Sequence, residues 1–188
     1  MADPELIPLL EADALERALR RMAAGIAENH PDLGKLAIIG IPTRGVYLAN
    51  RLVDLIEDLE NQRPLSGRVD ISMHRDDYHS RPPAGPVMTN ELPLPLEGKQ
   101  LVLVDDVLYT GRTIRAALDA LSTYGRPSRV QLAVLIDRGH RELPIQPDYV
   151  GTRITTAPQE RIRVRLDALD DVPSDKVSLV RPHEEEPS

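Results

Sequence analysis

Residues 100–113 of the chain read QLVLVDDVLYTGRT. Four aliphatic residues precede the paired carboxylates of Asp105 and Asp106. A run so uniformly Leu and Val is typical of a strand buried on both faces, as in a parallel sheet covered by helices. A turn of small residues follows, and apolar periodicity predicts a helix from Ile114 to Leu121. The stretch therefore predicts one strand–turn–helix unit of an α/β sheet, in which ligands bind where the strands end.

The turn at residues 110–113, Thr-Gly-Arg-Thr, has the composition of a phosphate receptor. It combines backbone N–H groups, two threonine hydroxyls and the positive end of a helix. Asp105 and Asp106 repel a phosphate, so they suit the hydroxyls of an attached ribose, or a cation. The alternative is that they are two solvated loop acids. The first hypothesis is therefore a phosphorylated sugar as ligand.

Two more aliphatic runs end in polar turns. Residues 35–41, KLAIIGI, lead into a turn at 42–45 and then a helix whose apolar side extends to Leu59. Residues 130–136, VQLAVLI, lead into the polar segment 137–144. Alternating β and α units imply a parallel sheet with right-handed connections, which brings all three turns to one edge. The chain contains neither a Walker loop nor a G-x-G-x-x-G fingerprint, which argues against ordinary nucleotide hydrolases and dinucleotide enzymes.

Periodicity predicts the remaining elements. Residues 12–27 place apolar side chains at helical spacing and predict an amphipathic helix. Residues 68–74 and 161–166 alternate between apolar and polar side chains, which predicts strands. Residues 148–151 are interpreted as a short strand or a turn. The acidic, proline-punctuated tail at residues 171–188 is expected to fray.

Residues 74–97 interrupt this pattern with a long segment rich in proline, charge and small residues. Loops longer than about a dozen residues in a compact domain are usually functional or disordered. A pair of β-arms that closes over the site as a lid is the favoured interpretation. A disordered surface loop is the alternative, in which Arg75 and Arg81 are plain loop charges.

Composition narrows the class of protein. A chain of 188 residues with 41% hydrophobic and 28% charged residues predicts a single domain, 1–188, with a substantial core. The chain has no cysteine, which excludes disulfides, thiolate metal sites and a catalytic thiol. It shows no signal peptide and no stretch of transmembrane length, so we expect a cytoplasmic protein with no membrane partner. A net charge of −7 argues against an overall basic coat for nucleic acid, although it leaves room for a local basic face.

The motif VLVDDVLYTGRT resembles the 5-phosphoribosyl-1-pyrophosphate (PRPP) motif of type I phosphoribosyltransferases. The flanking segments IGIPTRGVYLA, SMHRDDY and LIDRGHRELPIQPDYVG are similar to those of the PyrR family, pyrimidine-operon regulators with uracil phosphoribosyltransferase activity. The resemblance runs from about Leu15 to Leu166. It implies the type I phosphoribosyltransferase fold, in which helices flank a mainly parallel sheet. It also implies a small hood, about residues 137–166 plus the N-terminal segment, a flexible β-arm lid at 74–97, and a homodimer or higher homo-oligomer.

The resemblance also implies site residues and a cofactor. Asp105 and Asp106 would hold the ribose hydroxyls of PRPP and contact Mg²⁺ indirectly, through ribose or water. The pyrophosphate would bind in a turn that in this family often contains an unusual cis peptide, and Arg44, Arg75 and Arg81 would be its charge partners. The full implied PRPP site is Thr43, Arg44, Gly45, Asp105, Asp106, Val107, Leu108, Tyr109, Thr110, Gly111, Arg112 and Thr113. Uracil would bind, largely through backbone groups, along a segment that begins with Ile136, Asp137, Arg138, Gly139 and His140.

Some of these residues keep a plainer interpretation. The turn at 43–45 is alternatively an ordinary strand–helix turn. His140 is alternatively a hydrogen-bonding surface residue, and the chemistry does not need it as a strong base. Arg138 and Arg141 belong to the base site, to an RNA-facing surface or to an ordinary surface.

RNA binding follows from the resemblance with departures from the family pattern. RNA-binding relatives carry a threonine–arginine pair and a nearby histidine on the first helix, where this chain keeps Arg21 but has Arg20 and Ala24. Residues 152–156 also depart from the family's usual sequence. The candidate RNA-binding residues are Arg20, Arg21, Arg141 and Arg153, extended across a dimer by Arg161, Arg163 and Arg165.

The combined prediction is an enzyme that makes UMP and diphosphate from uracil and PRPP. It would also bind pyr leader RNA in response to UMP or UTP. Two alternatives stay open: a phosphoribosyltransferase for another base, such as a purine, and a nucleotide-sensing regulator with little catalysis.

Overall fold

The computed structural model describes residues 5–74 and 90–182. Most of the predicted lid lies outside these residues, together with Arg75 and Arg81. The end of the predicted tail, residues 183–188, also lies outside them.

Eight strands and three α-helices make up the described chain. In order they are β1 (Glu5–Glu11), α1 (Ala12–Asn29), β2 (Leu36–Gly40), α2 (Arg44–Glu60), β3 (Leu65–Arg68), β4 (Gln100–Leu108), α3 (Arg112–Ser122), β5 (Arg129–Asp137), β6 (Tyr149–Arg153), β7 (Arg161–Arg165) and β8 (Lys176–Arg181). Within the described residues, none of the helices combines the length and apolar character needed to cross a membrane.

Five strands form a parallel sheet in the order β3-β2-β4-β5-β6. Successive residues of the aliphatic strands face opposite sides, so Val102 packs with α1 and α2, and Leu103 packs with α3. Both faces are therefore covered, which explains the uniform Leu and Val content of β4. The predicted α/β architecture, a parallel sheet flanked by helices, is confirmed.

Three antiparallel strands, in the order β1-β8-β7, form a second sheet, which we call the hood sheet or hood. The expectation that residues 171–188 fray is wrong for β8, because its Val177 and Leu179 are buried between β1 and β7. β6, which falls within the predicted hood range, is the fifth strand of the parallel sheet, and the N-terminal segment contributes β1 to the three-stranded sheet.

The strand predicted at residues 68–74 is also placed differently. Pairing with β2 ends at Arg68, and a single turn of 3-10 helix covers 72–74. The carboxylate of Asp70 accepts hydrogen bonds from the backbone N and the Oγ of Ser72, at 2.8 and 2.6 Å. This local capping turns the chain away, while Val69 and Ile71 stay buried in the core.

The described end of the predicted lid segment packs against the domain. Glu91 exchanges two backbone hydrogen bonds with Arg68, at 2.7 and 3.1 Å. Asn90 donates its side-chain amide to the Tyr124 hydroxyl at 2.7 Å, and Leu96 is fully buried. Residues 90–97 therefore belong to the body of the domain, which restricts any lid to the preceding residues.

Candidate active site

The turn between β2 and α2 lies directly against β4. The backbone N–H of Ile41 donates to the Val104 carbonyl at 3.0 Å. A Cβ on Gly45 would lie 2.4 Å from the same carbonyl oxygen, so only glycine fits this approach. The peptide bond between Pro42 and Thr43 is cis, as the family resemblance implied. The predicted pyrophosphate turn and the paired aspartates are thereby held side by side.

Asp105 and Asp106 lie within β4, which continues to Leu108 and does not end before them as the sequence suggested. Each carboxylate accepts a hydrogen bond at 2.9 Å from the next backbone N–H, of Asp106 and of Val107. Burial, reinforced by the charge of Asp106, raises the pKa of Asp105 well above its usual range. Burial also raises the pKa of Asp106, against opposing contributions from Asp105 and Arg44. Two carboxyl groups withdrawn from water at a sheet edge favour a ligand that supplies hydroxyls or positive charge.

The turn after β4 places backbone donors at the start of α3. Gly111 has φ 94°, a left-handed conformation that favours glycine, and α3 begins at Arg112. The Thr110 carbonyl accepts hydrogen bonds from the backbone N–H groups of Glu142 and Leu143, at 3.0 and 3.1 Å. The predicted phosphate turn and the segment after β5 are therefore joined.

Arg141 supports that segment from within. Its guanidinium contacts Asp137 at 2.6 Å and donates to the Tyr109 and Ile145 carbonyls at 3.0 and 2.9 Å. Only 14% of the side chain is exposed. Arg141 is therefore largely buried and supports the loop conformation, and its assignment to RNA stays a prediction.

The predicted base-binding residues surround a cavity of about 300 Å³. Arg138 is buried and stacks on the Tyr109 ring, 4.1 Å from its centroid. It also donates to the Thr156 hydroxyl at 3.1 Å, while His140 Nε2 lies 2.7 Å from the Thr156 carbonyl oxygen. Burial lowers the pKa of Arg138. Ile136 is fully buried in the core, so it offers the site only backbone groups. The cavity is lined by Asp137, Arg138, Gly139, His140, Arg153, Ile154, Thr155 and Thr156.

Arg44 is held by a residue that the sequence did not single out. Its guanidinium forms an ion pair with Asp170, in the connection between β7 and β8. Its Nε is buried and has no hydrogen-bond partner among the described residues. On the same side of α2, Tyr47 approaches Asp167 at 3.4 Å and Arg51 pairs with Asp175. No local motif marks Asp170 or Thr156, because each acts on a distant part of the chain.

The candidate RNA-binding arginines other than Arg141 make three different contacts. Arg20 is exposed and pairs with Glu16 at 3.0 Å, and Arg21 donates to the Gly151 carbonyl at 3.1 Å. Arg153 is 74% exposed and lies 3.9 Å from Asp137. Arg21 therefore ties α1 to β6 although it is itself exposed, and Arg20 and Arg153 also keep most of their surface open.

The acidic groups fit a particular kind of metal binding. Within the described residues, no group of three or more acidic or histidine side chains could enclose a metal ion. Mg²⁺ retains several waters and commonly takes one or two carboxylates together with substrate phosphate oxygens. The neighbouring carboxylates of Asp105 and Asp106 fit that arrangement, which relies on substrate for the remaining oxygens.

Comparison with known proteins identifies the family of this chain. The phosphoribosyl transferase domain family matches residues 8–168. The chain belongs to the phosphoribosyltransferase family. The bifunctional protein PyrR of Chloroflexus aurantiacus is 50% identical over 173 residues, covering 92% of this chain and 94% of that protein. The PyrR of a Roseiflexus species is 51% identical over 162 residues, covering 86% of this chain and 88% of the relative. Within the phosphoribosyltransferases, the chain is therefore a member of the PyrR family.

Solved phosphoribosyltransferase structures share the fold. A hypoxanthine phosphoribosyltransferase of Trypanosoma cruzi, a K68R mutant in a ternary substrates complex, superimposes with a TM-score of 0.72 at 21% identity, covering 95% of this chain and 96% of that one. A hypoxanthine-guanine phosphoribosyltransferase of Bacillus anthracis gives 0.69 at 16% identity, covering 94% and 99%. At these identities the likeness concerns architecture alone.

Proposed function

We propose that this phosphoribosyltransferase converts uracil and PRPP into UMP and diphosphate. We propose also that it regulates pyrimidine genes by binding leader RNA in response to UMP or UTP. The observation that carries the enzymatic part is the pair of buried Asp105 and partly buried Asp106, which lies between the turn at Arg44 and the turn at 110–113. Membership of the PyrR family supports uracil as the base and RNA as the second ligand.

In this proposal each part of PRPP has its own place. The backbone N–H groups and hydroxyls of Thr110 to Thr113 bind the 5-phosphate at the start of α3. Asp105 and Asp106 accept hydrogen bonds from the ribose hydroxyls, which replaces the water that their burial removed. The turn at 43–45 binds the diphosphate, with Arg44 as its charge partner. Val107, Leu108 and Tyr109 form the backbone between these groups.

The reaction needs little covalent help from the protein. The bond from ribose C1 to diphosphate breaks, and uracil N1 attacks from the opposite face and loses its proton. Bound Mg²⁺ supplies positive charge that stabilises the departing diphosphate. The chain's own contribution is to orient the two reactants and to place Arg44 near the developing negative charge. A lid carrying Arg75 and Arg81 that excludes water from the site remains a prediction.

The base would lie along the segment from Ile136 to His140. The cavity beside it presents backbone groups between β5 and the residues around Thr156. Arg138 stacks on Tyr109 and hydrogen-bonds with Thr156, so it fixes the cavity wall. For RNA, Arg20, Arg21 and Arg153 are the exposed candidates, and a homodimer would bring two such surfaces together.

A steady-state assay with PRPP and Mg²⁺ tests the enzymatic proposal. We expect UMP from uracil, and no comparable nucleotide from hypoxanthine or guanine. Product from a purine instead would assign a different base. No product from any base, together with tight UMP binding, would leave a nucleotide sensor. Binding of the leader transcript with and without UMP tests the regulatory part.

A further inference from the structure

One face of the hood sheet carries a row of positive charge. Along β7, Ile162 and Val164 point towards the core, and the three arginines between and beside them point outwards. In the pairing with β8, Arg165 lies opposite Lys176, so this lysine shares the face. We define the basic hood face as Arg161, Arg163, Arg165 and Lys176.

Two of the neighbouring acids, Glu160 and Asp170, are paired with other groups. In the described parts of the chain, none of the four cations of the basic hood face forms an ion pair. Glu160 receives hydrogen bonds from Arg181 at 3.1 Å and from the Ala157 N–H at 2.8 Å. Asp170 pairs with Arg44 and also interacts electrostatically with Arg165, and Glu11 of β1 lies opposite Lys176 on the same face, so the positive charge is least balanced at Arg161 and Arg163. The chain as a whole has a net charge of −7, so this group of positive side chains is a local exception to its acidic character.

The geometry of this face suits an extended phosphate backbone. Alternate residues of a strand are about 7 Å apart, so the guanidinium groups follow one another like the phosphates of an extended single strand. Arginine binds phosphate through two parallel hydrogen bonds, and its plane also stacks on unpaired bases. A hollow of about 360 Å³ adjoins the row, lined by Gln159, Arg161, Ile162, Arg163, Val180 and Pro182. Its mixture of amide and apolar groups can accept an unstacked base. RNA would supply such a base, whereas an acidic protein segment would not, so RNA is the occupant that fits better.

We infer that the basic hood face binds the backbone of single-stranded RNA, with Arg161 and Arg163 as its principal contacts. The inference rests on the proposed regulatory function and locates its RNA surface away from the first helix. β7 is also an edge strand, and charged side chains on edge strands prevent pairing with other chains. The experiment must therefore separate RNA binding from protection of the edge.

The test compares two matched variants of the full-length protein. Arg161→Gln/Arg163→Gln changes the basic hood face, and Arg126→Gln/Arg129→Gln removes two exposed arginines near the start of β5. Each changes the net charge equally. Binding is measured by fluorescence anisotropy over a series of salt concentrations. The probes are the pyr leader transcript, a mixed-sequence single-stranded RNA 20-mer and poly-glutamate.

For the hood variant we expect affinity for both RNAs to fall about tenfold or more at low salt. The slope of log affinity against log salt should decrease by about 1.4, the amount expected for two lost phosphate contacts. The control variant should bind like the unmodified protein, and both variants should retain transferase activity.

Each other outcome has a distinct meaning. If the unmodified protein binds the leader and the hood variant binds it equally well, the inference is wrong and the regulatory proposal stands. If aggregation is the only change, the arginines protect the edge strand. If the 20-mer binds through the hood face but the leader shows no specific binding, the inference stands and the regulatory proposal fails. If neither RNA binds the unmodified protein, both the inference and the regulatory proposal fail. If the hood variant loses poly-glutamate affinity as much as RNA affinity, the face is a general anion-binding surface.

Discussion

Two regions of the molecule are assembled in opposite ways. One is the end of the parallel sheet where the strands finish and the candidate site lies, and the other is the hood sheet. Two of the three turns at this end of the sheet belong to contiguous strand–turn–helix units, β2 to α2 and β4 to α3, and the third joins β5 to β6. The hood instead pairs β1 with β8, which brings residues 5–11 against residues 176–181. Yet the hood reaches the site, because Asp170 in its β7–β8 connection holds Arg44. A locally built site thus depends on the two ends of the chain for the placement of one charged group.

The largest effect on activity is expected from changes to the paired aspartates at the candidate site. Asp105→Asn/Asp106→Asn removes both charges that would accept hydrogen bonds from the ribose hydroxyls and face Mg²⁺. We expect UMP synthesis to fall on the order of a thousandfold or more. Single-turnover assays with saturating PRPP and uracil measure this loss. Near-normal turnover would contradict the site assignment.

The control is the pH dependence of folding stability without ligand. Burial raises the pKa of Asp105 in the folded state above its unfolded value. Below the pKa that Asp105 has in the unfolded state, its carboxyl is protonated in both states and adds no pH dependence to the free energy of unfolding. As pH rises above it, the unfolded state ionises more readily and the folded state loses stability. The Asn variant avoids this loss, so at neutral pH it should unfold at the same or a higher temperature. Lower stability there would mean that lost activity reflects misfolding.

A smaller effect, on the free energy of unfolding, is expected from a change in the hood. Val177 of β8 is fully buried between β1, β7 and the core. Val177→Ala should lower the free energy of unfolding by about 2 kcal/mol, because it removes buried methyl groups and leaves a cavity. Chemical denaturation measures this change, with Val130→Ala, at an exposed position of β5, as the matched control. Equal, near-zero costs for both variants would mean that residues 176–181 fray.

This contrast explains what sequence alone could establish. The unit around Asp105 and Asp106 was predictable because buried strand, acids, turn and helix follow one another within residues 100–121. The strand β8 was not, since its short alternation of Val177 and Leu179 is flanked by acidic residues and prolines. Residues 68–74 were misjudged because a side-chain cap at Asp70 ends the strand early. Local periodicity cannot show such competing hydrogen bonds or pairings between chain ends.

The smallest effect tests the link between the two regions. Asp170 lies 126 residues from Arg44 in sequence, so only the folded hood brings the pair together. Asp170→Asn removes the charge that orients the guanidinium beside the diphosphate turn. Since a charge-assisted hydrogen bond contributes about 1.5 kcal/mol or more, we expect the KM for PRPP to rise about tenfold with a smaller change in kcat. Initial-rate kinetics over a range of PRPP concentrations measure this separation.

The matched control for that link is Tyr47→Phe, which removes a hydroxyl 3.4 Å from Asp167 on the same side of α2 but leaves Arg44 paired. It should keep a normal KM for PRPP. If both variants raise KM equally, docking of the hood on α2 matters in general and Asp170 has no specific role. If Asp170→Asn lowers KM, Asp170 competes with diphosphate for Arg44. The hood would then restrain the edge, because ligand binding would have to break the ion pair before Arg44 could reach the leaving group.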